Sequence, residues 1–287
     1  MSNKEELIIY RPTYSQEHVD LSKKYLGALK NKIKDTQKVT LKETNNVAVI
    51  VEPRKHEMLE MIVRNVMYFL GEDWNLHIFG GNLNEKWVNE LFPEDWEYRF
   101  TNLGVDNITA DEHNLLLKQR FFWQEIKEEN ILIFQTDSFL LRRGIEPIFE
   151  YDYAGAETMN QHEKSPKGIG QNGGLSFRKR SSMLDCIDNV YEYMINEYRV
   201  KNGKLPFKIN SCILAEDIYF YHSLEILNKK FLPMELCGRF SMEAPSIENG
   251  INLTPLGMHA INKNMLQFKY FEKIMEMSEM HKFLEET

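Results

Sequence analysis

Ile131–Leu141, ILIFQTDSFLL, is the stretch on which the fold turns. Its first four residues, Ile131–Phe134, are apolar in succession, the pattern of a short strand buried on both faces, as interior strands of a parallel α/β sheet are. The run then meets Gln135, Thr136, Asp137 and Ser138 before apolar character returns at Phe139, Leu140 and Leu141. An ionised Asp at the end of a buried strand needs a partner, because desolvating it is costly. In open α/β sheets the carboxyl ends of the strands are also where ligands bind. Asp137 is therefore either the hydrogen-bonded cap of a turn or a ligand for a cation.

Upstream, Val47–Val51 (VAVIV) is a second run apolar on both faces, followed by Glu52, Pro53, Arg54 and Lys55. His56–Leu70 carries apolar residues at helical spacing, and Gly71 is a fitting stop. Strand, polar loop and helix open a nucleotide-binding α/β unit. Asn75–Gly81 (NLHIFGG) predicts a strand, Glu85–Leu91 a helix, Trp96–Leu103 a strand and Asp111–Ile126 one long helix. Four strands with helices between them by residue 135 imply a mostly parallel sheet. Before this body, residues 1–44 are lysine-rich, and Val19, Leu21, Tyr25, Leu26, Leu29 and Ile33 predict one amphipathic helix packed against it.

Downstream, Phe149–Ala156 (FEYDYAGA) and Gly173–Arg178 (GGLSFR) read as strands, separated by a polar loop, Glu157–Gly170, without periodicity. Arg180–Tyr198 and Glu216–Leu227 read as helices, Arg239–Glu243 as a strand, Pro255–Asn264 as a loop and Met265–Leu284 as a closing helix. No repeat, low-complexity segment or linker divides the chain, so one α/β domain is expected. It would span 45–264, with 1–44 as an N-terminal extension and 265–287 as a helix packed on the same domain.

The chain has 287 residues, 43% hydrophobic and 27% charged, which is ample for a large core. A formal net charge of −8 argues against a broad nucleic-acid surface. Cys186, Cys212 and Cys237 are far apart and form no CxxC, as suits a reducing compartment without a zinc knuckle. No stretch approaches a membrane span and the N-terminus lacks a signal-peptide run, so a cytoplasmic location is expected. Gly168, Gly170 and Gly173 fit GxGxxG, but a polar loop precedes them and a strand follows. Dinucleotide binding needs the strand–turn–helix context that is missing here.

The carboxylates that could do chemistry are Asp137 and the pair Glu216–Asp217, with His259 in a turn after Pro255–Gly257. A carboxylate at a strand end can hold Mg²⁺ or Mn²⁺ against a diphosphate, and imidazole suits Mn²⁺ tolerably. A carboxylate at a helix start is favoured in its ionised form and can serve as a general base. The plainer reading of Glu216–Asp217 is helix N-terminal charge, and of His259 a surface histidine.

Taken in order, VAVIVEPR, LHIFGG, ILIFQTDSFLL, YDYAGA, NGGLSFRKR, EDIYF and PLGMH resemble the successive blocks of GT-A-type nucleotide-sugar glycosyltransferases. The likeness runs from Val47 to His259 and is nearest to a poorly characterised group found in large DNA viruses, algae and microbes. It implies a GT-A-like (Rossmann-like) mixed sheet, mostly parallel and flanked by helices. In such enzymes a D-x-D element ends a central strand. Gln135 and Asp137 are the matching positions, so an amide replaces the first carboxylate and Asp137 stands where the metal ligand stands, with His259 as the late metal-binding histidine. The resemblance places Glu52, Arg54, Gln135, Thr136, Asn172, Gly173 and Gly174 against the nucleotide sugar. It makes Glu216 and Asp217 the catalytic candidates, with Asp217 in the position of the base of inverting enzymes.

The resemblance thus implies a Mn²⁺- or Mg²⁺-dependent transfer of sugar from a UDP-sugar to a hydroxyl of a glycan or protein, with inversion, and with the Glu157–Gly170 loop as a candidate lid. A non-catalytic module that binds a nucleotide or glycan is the alternative, favoured by Gln135. A nucleotidyltransferase would want glycines after the first strand, and EPRKHE has none.

Overall fold

Val47, Ala48, Val49 and Ile50 are fully buried because strand β1 (Asn46–Val51) lies in the middle of the sheet. A computed structural model describes residues 16–33, 37–157, 171–203, 214–242, 255–259, 276, 278 and 279. In it β1 pairs in parallel with β2 (Asn75–Gly80) and with β4 (Asn130–Phe134), so that Val49 faces His77 on one side and Ile133 on the other. Strand β3 (Arg99–Asn102) extends the sheet in parallel beyond β2. On the far side β7 (Gln171–Lys179) runs antiparallel to both β4 and β6 (Tyr153–Glu157). The order is β3-β2-β1-β4-β7-β6, with β7 the reversed strand. This is the single α/β domain with a mostly parallel central sheet that the apolar runs predict.

The alternation of side chains along each strand divides the core in two. Ala48, Ile50, Leu76, Ile78, Leu132 and Phe134 face one layer, with helices α1 (Gln16–Ile33), α2 (Leu59–Leu70) and α3 (Glu85–Leu91). Val47, Val49, Phe79, Ile131 and Ile133 face the other. A strand covered on both faces needs no polar alternation, which is why β1 and β4 read as continuous apolar runs. Tyr25, Leu26, Leu29 and Ile33 of α1 are buried, as its stripe predicts. Gly71, at φ 82°, ends α2. No helix among the described residues is long and apolar enough to cross a membrane.

Several elements differ from expectation. The helix predicted over Asp111–Ile126 is two, α4 (Ala110–Leu117) and α5 (Arg120–Glu125). Gln119 is extended at the junction, and the Trp123 indole N–H donates to Leu117 O at 2.7 Å, fixing the break. The helix predicted over Arg180–Tyr198 likewise divides into α6 (Arg180–Asn189) and α7 (Glu192–Lys201). Val190 is extended between them, and its carbonyl accepts from the Tyr219 hydroxyl at 2.8 Å. Phe149 belongs to a 3-10 turn, Glu146–Glu150, opened by Pro147, so β6 starts only at Tyr153. The predicted strands Trp96–Leu103 and Arg239–Glu243 shrink. The first is β3, and Arg239 lies in α9 (Met234–Phe240), leaving Ser241–Met242 as β8.

The sequence reading lacks a second sheet altogether. Strands β5 (Phe139–Leu140), β9 (Gly257–Met258) and β8 form it in the order β5-β9-β8. It turns part of the predicted Pro255–Asn264 loop into a strand that carries His259 to the end of β4. Residues 158–170 of the candidate lid, Gly168 and Gly170 of the glycine motif, and most of the predicted closing helix lie outside the described residues.

Candidate functional site

The parallel strands β1 and β4 end at one edge of the sheet, and the antiparallel β7 begins there. Glu52–Arg54, Gln135–Asp137 and Asn172–Gly174 are therefore neighbours. The register Phe134↔Leu175 sets Gly174 beside Gln135. Ser138 joins the two: its hydroxyl donates to Gly174 O at 3.0 Å, and its backbone N–H donates to Gln135 O at 3.0 Å. The Asn172 side chain accepts the Gly174 N–H at 2.8 Å and holds the glycine segment from the other end.

Gly173 and Gly174 divide the site. A β-carbon on Gly174 would come within 2.0 Å of His259 Nε2, and one on Gly173 within 2.2 Å of Glu216 Oε1 and 3.2 Å of Asp217 Cβ. Successive residues of a strand face opposite ways, so the bare glycine backbone is the partition between two polar groups.

On the Gly174 side stand His259, Asp137 and Gln135. His259 Nε2 lies 3.2 Å from Gln135 Oε1 and 3.4 Å from Asp137 Oδ1, and the histidine is 3% exposed rather than on the surface. Its backbone N–H donates to Met242 O at 3.0 Å, so the second sheet sets its place. An imidazole nitrogen, a carboxylate oxygen and an amide oxygen at one point form a donor set that fits Mn²⁺ or Mg²⁺. Among the described residues no group of three or more His, Cys, Asp or Glu comes together as a metal site. Oxygens from a ligand would have to complete a shell here.

On the Gly173 side, helix α8 (Glu216–Ile226) starts at the carboxylate pair. Asn114 of α4 accepts the Glu216 backbone N–H at 3.1 Å. Both carboxylate oxygens of Glu216 are taken by the fully buried Arg178, at 2.5 and 2.9 Å. Arg178 also sits against the rings of Tyr153, Phe220 and Trp123. Asp217 is free of this fork and partly buried. Burial, and then the charge of Glu216, push its carboxyl up to about 6, while the Ile218 N–H, Arg178 and the Gly173 N–H hold it down.

A shift in this direction has a signed consequence. From the ordinary 3.8 to about 6, the folded protein holds a proton that the unfolded chain has released. Asp217 thus favours folding fully below its unfolded value, and that contribution is lost as pH rises through about 6, at most about 3 kcal/mol. Chemical unfolding of the wild type and of Asp217→Asn at about pH 4 and about pH 7.5 should show the variant gaining on the wild type at the higher pH. Equal differences at both would contradict the shift.

At the end of β1, Arg54 grips Glu52 through two contacts of 2.7 Å, and Asn84 donates to Glu52 O at 2.6 Å and to Arg54 O at 3.1 Å. Glu52 is 2% exposed and already neutralised, so the pair presents the Arg54 face of a closed fork. Thr136 Oγ1 lies 3.5 Å from His56 Nε2, whose other ring nitrogen accepts the Met58 N–H at 3.2 Å. Burial keeps His56 below the usual histidine range. His113 of α4 is lowered too, by burial first, and the charges that act on it are Glu216, Arg178, Glu52 and Arg54.

All eleven residues singled out from sequence lie at this edge. The sequence reading lacks Arg178, Ser138, Asn114, His56 and His113. The capping box Thr109–Glu112 marks the start of α4, which carries His113 and Asn114, but periodicity and capping do not single out either side chain.

A family model described as "Protein of unknown function (DUF5672)" matches residues 97–259, more than half of the chain. No curated protein matches it. Similar solved structures are glycosyltransferases. Mouse xyloside xylosyltransferase 1, in its apo form, is 10% identical with a TM-score of 0.48, over 75% of this chain and 97% of that one. Glycosyltransferase GlyE of Streptococcus pneumoniae TIGR4, in its apo form, is 12% identical with a TM-score of 0.46, over 84% of this chain and 62% of that one. A further GlyE structure is 13% identical with a TM-score of 0.45, over 84% and 63%. The chain thus spans less than two thirds of GlyE.

Proposed function

We propose that this chain, which belongs to the DUF5672 family of proteins of unknown function, is a metal-dependent glycosyltransferase of the GT-A type. The donor is a nucleoside diphosphate sugar, taken here as a UDP-sugar, and the acceptor a hydroxyl of a glycan or protein. Kinship to the group found in large DNA viruses, algae and microbes, a catalytic unit over 45–264 and a cytoplasmic location belong to the same proposal.

One observation carries it: the bare Gly173–Gly174 backbone, with Asp137, His259 and Gln135 on one side and Asp217 on the other. A sugar laid over two residues without side chains meets backbone on its face and a polar group at each end. Asp137, His259 and Gln135 would hold a divalent cation, which neutralises charge on a diphosphate leaving group. Arg54, held by Glu52, offers a cation towards the nucleotide. Asp217, raised to about 6, is ionised at neutral pH yet basic enough to take a proton. It receives the proton of the acceptor hydroxyl as that oxygen bonds to the anomeric carbon, while the carbon–phosphate oxygen bond breaks and its electrons leave with the diphosphate. A base and a leaving group on opposite sides of the reacting carbon favour inversion.

The second reading, a non-catalytic nucleotide- or glycan-binding module, draws on Gln135 in place of a carboxylate. Thermal shifts with a panel of sugar nucleotides, with and without Mn²⁺, test the donor binding that the enzyme requires, and release of nucleoside diphosphate in the presence of an acceptor separates the enzyme from the binding module. A donor at ~100 times its dissociation constant should add roughly 2.7 kcal/mol, and only with the cation present. Asp137→Ala should lose the cation-dependent part. A panel without any shift removes the donor-binding reading.

A further inference from the structure

We propose that the buried Glu216–Arg178 pair is a positioning device for Asp217, holding its carboxylate in place and setting the pH at which it takes up a proton. The inference rests on the proposed role of Asp217 as proton acceptor.

Glu216 is not a second acid in waiting. It is 5% exposed, and Arg178 occupies both of its oxygens. Nor is such a pair an economical way to hold a core together, since apolar side chains of similar volume commonly do as well. Its placing explains what else it does. Glu216 is adjacent to Asp217 in the first turn of α8, and Asn114 fixes that turn through the Glu216 N–H. Arg178 reaches Gly173 O at 3.4 Å and shares Ser176 with it, Ser176 Oγ donating to Gly173 O at 2.9 Å and accepting from Arg178 Nε at 2.9 Å. Gly173 in turn packs against Asp217, a β-carbon on it lying 3.2 Å from Asp217 Cβ. The arginine therefore holds both segments that flank Asp217, the first turn of α8 through Glu216 and the glycine segment through Gly173 O. Gly173 must lack a β-carbon for this, as one would lie 2.2 Å from Glu216 Oε1 and 2.6 Å from Arg178 Nη2.

The charges around Asp217 come from every element packed on it. Glu216 on its own helix disfavours its ionisation and Arg178 on β7 favours it. The Arg178 guanidinium lies over the Tyr153 ring of β6, and Glu216 and Arg178 act electrostatically on His113 of α4. The two members of the pair thus act on the Asp217 carboxyl in opposite directions.

The test follows the Asp217 carboxyl carbon by ¹³C NMR across pH in full-length protein, the signal being the one that Asp217→Asn lacks. Glu216→Gln should fold and lower the Asp217 midpoint by about one pH unit, because the like charge goes and Arg178 stays. The double variant Glu216→Leu/Arg178→Met removes the ion pair with similar volume, and its midpoint should lie above that of Glu216→Gln, because the cation that favours the ionised carboxylate is gone as well. The acid limb of single-turnover transfer should move with the carboxyl in each variant. An unmoved midpoint in folded Glu216→Gln, or a double-variant midpoint at or below that of Glu216→Gln, overturns the proposal. Full transfer in Asp217→Asn would instead end the base assignment and leave the NMR ordering to stand by itself.

Discussion

Asp217→Asn is expected to lower single-turnover transfer by about 10²–10⁴, the usual worth of a positioned base, while donor affinity stays within a few-fold. The amide matches the carboxylate in size and can still accept the Ile218 N–H, which lies 2.7 Å from Asp217 Oδ1. It cannot take a proton from an acceptor hydroxyl. Donor affinity is spared because Asp217 sits across the glycine partition from Asp137 and His259. The same variant should gain stability above about pH 6, since it no longer ionises a carboxyl that the folded protein prefers neutral. Lower transfer with higher stability is the signature of a group kept for chemistry. Loss of both would mark Asp217 as a structural cap.

Gly174→Ala should be nearly as damaging, by another route. Its β-carbon would stand 2.0 Å from His259 Nε2 and 2.3 Å from Cε1. The imidazole cannot yield easily, because its backbone is tied to Met242 and the two-residue strand before it is paired on both sides. Displacing a site group by about an ångström can cost about 10²-fold in rate, and the cation-dependent donor shift should vanish. Overpacking should cost about 1–3 kcal/mol of stability as well. Gly238→Ala is the control: its β-carbon would meet nothing within 4 Å, and donor binding and transfer should be unchanged. A Gly174→Ala protein with wild-type donor shifts would separate His259 from the donor site.

Much of this architecture is visible in the chain because it is local. VAVIV and ILIF read as buried strands since both faces of β1 and β4 are covered, and the polar residues that follow them mark the edge where the candidate site lies. The hidden features are long-range. Gln119 and Val190 break helices through bonds to Trp123 and Tyr219 that periodicity does not register. Two-residue strands are too short to leave a pattern, so the second sheet, and with it the burial of His259, could not be read from spacing. Arg178 looked like the polar end of a strand, and its partner Glu216 is 38 residues away. Sequence pairs Glu216 with Asp217 as catalytic candidates, and only the fold shows that both Glu216 oxygens meet Arg178.

The central claim is that the Gly173–Gly174 edge binds a nucleotide sugar through a cation and transfers the sugar. Release of nucleoside diphosphate from a panel of sugar nucleotides, offered with Mn²⁺ and a mixture of glycan and hydroxyl acceptors, tests it most directly. At least one donor should be turned over, the release should stop when the cation is chelated, and Asp137→Ala and Asp217→Asn should each suppress it. No release from any donor by folded wild-type protein that also fails to bind them, or release undiminished in both variants, would contradict the account.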